Sequence, residues 1–206
     1  MSRSLRNNGL SLVFLGLFLA ALAGQSVAGW HEHNQDQTRH GEPPVGFGQY
    51  LAGAHFWEAT TENWESEFLQ MGFYVVLTAF LFQRGSSESK DPDQPEEDVD
   101  ADPFASRRPD APWPVKRKGW VLKIYQHSLS LAFLLLFLLS FAGHALSGNR
   151  EQNAERLAHG EPATSVVDFM TSSTFWFESL QNWQSEFLAV LAMVVLSIFL
   201  RQRGSP

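Results

Sequence analysis

The sequence predicts an all-α membrane protein: four transmembrane helices arranged as two tandem, parallel-oriented helical hairpins. Three observations carry that expectation. Long uncharged apolar runs recur along the chain, the first half is spelled again as the second, and lysine and arginine collect on one side of the runs. The repeat is direct: residues from about Leu5 to Ser86 align without a gap onto about Ile124 to Ser205. His40-Gly41-Glu42-Pro43 returns as His159-Gly160-Glu161-Pro162, and Asn63-Trp64-Glu65-Ser66-Glu67-Phe68-Leu69 returns as Asn182-Trp183-Gln184-Ser185-Glu186-Phe187-Leu188. Every matched pair lies 119 positions apart, a register that short-repeat solenoids do not keep.

The first element is the run 9–29, uncharged and, at ~1.5 Å rise per residue, long enough to cross ~30 Å of hydrocarbon. Arg3 and Arg6 before it and Ser26-Val27-Ala28 near its end also fit a secretory signal peptide. The duplication favours a retained helix, because the partner run, 127–148, lies mid-chain where no signal peptide sits. Residues 30–62 and 149–181 then form outward loops, each with a short surface helix. In the second loop Thr164 or Ser165, with Asp168 close behind, supplies an N-cap, and Phe169, Phe175 and Trp176 are expected to dip into the headgroups.

The second span of each pair is 63–83 and 182–202. The purely apolar stretches there, Phe68 to Phe82 and Phe187 to Leu200, cover only ~22 Å of helix. Arg84 and Arg203 are therefore expected to snorkel at the inner boundary, with Trp64 and Trp183 at the outer one. Between the halves, 87–123 is a linker in which Asp91, Asp93, Glu96, Glu97, Asp98, Asp100 and Asp102 lie among prolines. Such a stretch cannot bury enough surface to offset its chain entropy, so disorder is expected. The linker ends in a basic juxtamembrane run, Lys116-Arg117-Lys118, and the chain divides into a first repeat, 1–86, this linker, and a second repeat, 124–206.

Lysine and arginine set orientation. Arg3, Arg6, Arg84, Lys90, Arg107, Arg108, Lys116, Arg117, Lys118, Lys123, Arg201 and Arg203 fall on one side, and Arg39, Arg150 and Arg156 on the other. Both termini and the linker are expected in the cytoplasm, with the His-Gly-Glu-Pro loops outside. Each repeat has an even number of spans, so the two share one orientation. The chain has no cysteine, which excludes disulfides, thiolate metal sites and cysteine nucleophiles. Its net charge of −7 and its scattered basic residues leave no nucleic-acid footprint.

The duplication also selects polar residues. Asn63 and Glu67 share a helix face, as do Asn182 and Glu186; an ionisable residue inside a membrane is a functional candidate, and a carboxylate at the interface near a helix N-terminus is the plainer reading. Ser66 and Ser185 accompany these pairs, and Trp64 and Trp183 read as an aromatic belt. Glu65 is weaker, since its counterpart is Gln184. His40 with Glu42 and His159 with Glu161 offer nitrogen and oxygen ligands, although a histidine beside a Gly/Pro turn reads more simply as fixing the loop. The second loop does not repeat His31, His33 and His55. Haem ligation fits poorly, because His127 and His144 sit at opposite ends of one helix and face Asn8 and Gln25 in the repeat. No P-loop, nucleophile elbow, HExxH or dinucleotide fingerprint occurs, so no catalytic residue, cofactor or metal is expected.

The segments NNGLSLVFLGLF, HGEPP and NWESEFLQMGFYVVLTAFLFQRGSSESKDPD, followed by the repeated HGEP and NWQSEFL, resemble a family of bacterial membrane proteins classed only as a domain of unknown function. The resemblance spans nearly the whole chain and implies a four-helix protein of the bacterial cytoplasmic membrane. It brings no reaction, cofactor or catalytic residue. The expected role is that of a structural or accessory protein in the bilayer, partnered by lipid and by a second copy or another membrane protein, with Gly16, Ala20, Ala23 and Gly24 near one stripe for helix packing. A small transporter or proton/cation conduit using the duplicated Asn/Glu pairs is the alternative, and an enzyme or redox carrier comes last.

Overall fold

The computed structural model describes residues 7–91, 93, 111–117 and 119–203. It is all-helical there, with no strand among the described residues. Among the described residues eight helices follow in order: α1 Gly9–Arg39, α2 Phe47–Ala52, α3 Ala54–Phe80, α4 Trp113–Arg117, α5 Gly119–Gln126, α6 Ser128–Ala158, α7 Val166–Met170 and α8 Ser173–Phe199. The register of the sequence repeat is kept by the long elements: α1 and α6 each have 31 residues, α3 and α8 each have 27, and the bounds differ by 119 at both ends. Most of the acidic linker, 94–110, lies outside the described residues, as do Arg3, Arg6 and Lys118. The basic end of the linker is helical from Trp113, with the Arg117 guanidinium 5.4 Å from the centre of the Trp113 ring.

The long helices outrun the apolar stretches that suggested them. α1 and α6 continue ten residues past 29 and 148, because nothing in Trp30–Arg39 or Asn149–Ala158 breaks a helix before Gly41 and Gly160. There the chain stops in a Schellman motif, written twice. The Gly41 N–H donates to Thr38 O at 3.2 Å and the Glu42 N–H to Gln37 O at 2.8 Å; Gly160 and Glu161 do the same to Leu157 O and Arg156 O at 3.0 and 2.8 Å. Gly41 and Gly160 take φ of 79° and 74°, the left-handed conformation this cap requires and glycine adopts without strain. Likewise α3 and α8 begin at Ala54 and Ser173, nine residues before the expected 63 and 182.

Each returning loop is held by a repeated asparagine. The Asn34 side chain accepts from Val45 N–H at 2.7 Å and donates to Val45 O at 3.0 Å; Asn153 does the same to Thr164 at 2.8 and 2.9 Å. Ser165 then opens α7 with a capping box: its hydroxyl accepts from Asp168 N–H, and Asp168 Oδ2 accepts from Ser165 N–H. The Ser165 hydroxyl, which also lies 2.6 Å from Asp168 Oδ2 and donates to it, and then the Ser165 N–H hold the Asp168 carboxyl below its ordinary value. The clasp and cap fold α7 back onto α6, which corrects the expectation for the aromatics. Phe169 and Phe175 do not reach outward; they are 2 % and 0 % exposed and form the core with Ala145, while Trp176 remains half exposed.

α3 runs along α6, and α8 packs on α3; the α1 backbone runs closest to α2 and reaches α3 through side chains, Gln25 to Thr60 and Phe18 to Trp64, and α1 and α8 make no comparable contact. Small residues bring α3 and α6 together, as in membrane helix pairs generally. A Cβ at Gly143 would lie 2.8 Å from Thr61 Cγ2, and one at Gly148 would lie 2.8 Å from Glu58 Oε1. Gly16 and Gly24, part of the stripe expected to pack, face open space. Among the described residues three helices, α1, α6 and α8, are long and apolar enough to cross a membrane, with mean hydropathies of 2.0, 2.2 and 1.5. α3 falls outside that group: Glu58, Glu62 and Glu65 stand in its first half where α8 has Phe177, Gln181 and Gln184.

Gly143→Val is therefore expected to overpack the α3–α6 seam and cost about 1–3 kcal/mol. Gly24→Val is expected to stay within about 0.5 kcal/mol of the parent. Thermal unfolding in detergent of the two variants side by side checks this, and equal midpoints would contradict the seam.

Candidate functional site

Most residues selected by the duplication are spent on local bonds. Asn63 is exposed and its amide donates to Ala59 O at 2.7 Å. Ser66 and Ser185 donate to Asn63 O and Asn182 O, one turn back on their own helices. Glu67 is exposed; Glu186 is half-buried, and its backbone oxygen accepts from Gln70 Nε2 at 2.9 Å. Trp64 lies against Phe18 with ring centres 6.2 Å apart. His40 and His159 end α1 and α6, each with Nδ1 on the carbonyl four residues back, at 3.0 and 2.8 Å. Glu42 is exposed, and Glu161 pairs with Arg156 at 3.1 Å.

The buried polar centre is built from residues that the duplication discarded. Glu65 on α3 and His144 on α6 are both fully buried, with Glu65 Oε2 2.9 Å from His144 Nδ1. Glu178 on α8 faces the other ring nitrogen, Nε2, at 3.3 Å. Trp183 Nε1 donates to the second Glu65 oxygen at 3.1 Å, and the Phe175 ring stacks on the imidazole at 4.7 Å. Asn182 donates to Glu62 Oε1 and to Glu178 O. Of the residues the duplication selected, then, Trp183 and Asn182 alone bond into this centre with their side chains. With a carboxylate at each ring nitrogen, the two hydrogen bonds require two protons shared among His144, Glu65 and Glu178.

One signal for this centre was present in the repeat. The counterparts of Glu65 and His144 are Gln184 and Gln25, so both partners of the pair are uncharged in the other copy. Retention of identical residues hides such an exchange, and the simultaneous change at two positions reveals it.

Glu58, on the polar first turns of α3 outside the 63–83 stretch, is pushed up to about 7 by burial and then by the Glu178 and Glu151 carboxylates. It lies between the buried centre and a cavity of ≈ 750 Å³ at the far ends of α1 and α6. Both members of three duplicated pairs line that cavity: Glu32 and Glu151, Asp36 and Glu155, His40 and His159. The loop histidines thus do share one space, with Glu42 on its wall and Glu161 not among its lining residues.

A family model described as Domain of unknown function (DUF6766) matches residues 1–206. The chain belongs to that family. No curated protein matches it, and no solved structure does. In this DUF6766 member the charged centre and the cavity each gather side chains from several helices.

Removing one partner of a buried ion pair costs about 3–5 kcal/mol, so Glu65→Gln and His144→Gln are each expected to destabilise strongly. The double variant recreates the two glutamines of the other copy and is expected to cost less than the sum, by roughly 0.5–3 kcal/mol; additive losses in denaturation would refute the coupling. A second expectation concerns pH. Since Glu58 stands above its ordinary 4.5, its contribution is fully present below that value and is lost as pH rises through about 7. Glu58→Gln should flatten the fall in melting temperature between about pH 4 and pH 8, values that bracket this interval.

Proposed function

We propose that this is a non-enzymatic accessory protein of the bacterial cytoplasmic membrane, crossing it four times as two tandem hairpins with both termini and the linker in the cytoplasm. It associates through α1 with a second copy or another membrane protein. The observation that carries this reading is the exposure of α1: the helix buries only Ser26, and its apolar side chains from Leu10 to Leu19 are exposed, with Phe18 against Trp64 as a contact to α3. The polar residues shared by both halves support the same reading, because helix caps and intrahelical bonds occupy most of them. The chain has no native cysteine, so single cysteines report cleanly. A cysteine at Gly16 is expected to crosslink α1 to a partner in native membranes, while one at Ala145, in the core, is not. Labelling from outside is expected at Gln35 and not at Asp98 or the C-terminus. Only lipid adducts at Gly16 would defeat the accessory role, and the reverse labelling would defeat the topology.

A proton conduit is the second reading, now resting on different residues. Titratable groups run from the cavity wall at Glu151 through Glu58 to Glu178, His144 and Glu65. Proteoliposomes that pass protons in the parent and not in Glu65→Gln would favour it over the accessory role.

A further inference from the structure

The cavity at the far ends of α1 and α6 contains a second cluster that the repeat does not predict. His33 lies on the polar extension of α1, His55 on the first turn of α3, and Glu151 on the polar extension of α6. All three are half-buried, and one ligand atom from each lies within 4.8 Å of the others. We propose that His33, His55 and Glu151 bind one divalent transition-metal ion of the zinc class, with Glu32 beside them.

The donor set suits such an ion. Two imidazoles and one carboxylate are the three-ligand pattern of zinc sites that keep a fourth position open, and nitrogen and oxygen donors without thiolate fit borderline first-row metals. Bonds of ~2.0–2.2 Å to a tetrahedral ion require the three side chains to close inward by about an ångström, which half-buried side chains at a cavity wall permit. His55 provides an independent observation. Its Nδ1 is buried without a hydrogen-bond partner, and its Nε2 faces Glu32 Oε2 at 3.8 Å. Ligating histidines use one nitrogen for the metal and give the other to a carboxylate. The His33 and His55 rings lie 5.0 Å apart, each next to the Tyr50 ring at 5.7 and 5.9 Å, so the aromatic floor of α2 fixes both imidazoles.

The histidines are absent from the second copy, where Gln152 and Thr174 stand, while Glu32 and Glu151 are each other's counterparts. A single ion would therefore join α1 to α3 and α6 at the place where α1 is otherwise held mainly by α2. The inference is independent of the accessory role and of the topology.

Full-length protein in detergent, freed of its purification tag and stripped with chelator, tests this by titration with Zn²⁺ in a calorimeter and with Co²⁺ by visible absorption. Expected are one ion per chain, cobalt bands of a nitrogen- and oxygen-ligated site, and a higher melting temperature with Zn²⁺. His55→Ala and Glu151→Gln should each weaken binding at least ~10-fold and remove the thermal shift, while His40→Ala and His159→Ala on the same cavity leave both unchanged. If His55→Ala does not fold, Glu151→Gln and His33→Asn decide alone. No stoichiometric binding, or binding that survives loss of His33 and His55 together, would overturn the site.

Discussion

The contact between α3 and α6 organises the molecule, and its centre is the ion pair of Glu65 with His144. A carboxylate and an imidazole, both without solvent exposure, are tolerated in an apolar bundle only when each lone pair and proton has a partner. Trp183, Glu178 and the Phe175 ring supply those partners from α8, so satisfying one pair fixes the placement of a third helix. Gly143 and Gly148 on α6 let the backbones come close enough for the pair to form. Helix approach and charge burial are thus one constraint seen from two sides.

At their C-terminal ends α1 and α6 extend beyond the apolar region as polar rods, stopped by glycine in the left-handed conformation and clasped by Asn34 and Asn153. These extensions carry His33, Glu32 and Glu151 to the cavity. A loop would leave such groups in water without fixed geometry. The continuous helix α6 carries the positions set at the buried seam to the cavity wall, and Glu58 lies between the two regions.

The helical class, the apolar runs and the matching bounds were legible because periodicity and composition are local properties. The capping box at Ser165 was legible for the same reason. Three features were not. Helix ends were misplaced because polar residues in Trp30–Arg39 and Asn149–Ala158 disfavour membrane without disfavouring helix. Phe169 and Phe175 were assigned to headgroups because a short amphipathic segment does not say which neighbour takes its apolar face. The buried centre was missed because selecting identical residues in the two copies favours residues with local duties, such as caps, and removes those that have diverged to meet each other across the halves.

That divergence has a further effect on assembly. Either half presents a helix with the small residues needed to pack against its counterpart, so a chain of this kind has several ways to pair with itself. A first half meeting another first half would set Glu65 against Gln25, burying a carboxylate with no cation to face it; two second halves would bury His144 against Gln184. Glu178 of the second half stays with His144 in either case, and only unlike halves bring Glu65 and His144 together. The pair therefore works as a label of identity, telling one hairpin from the other where their shapes are nearly the same.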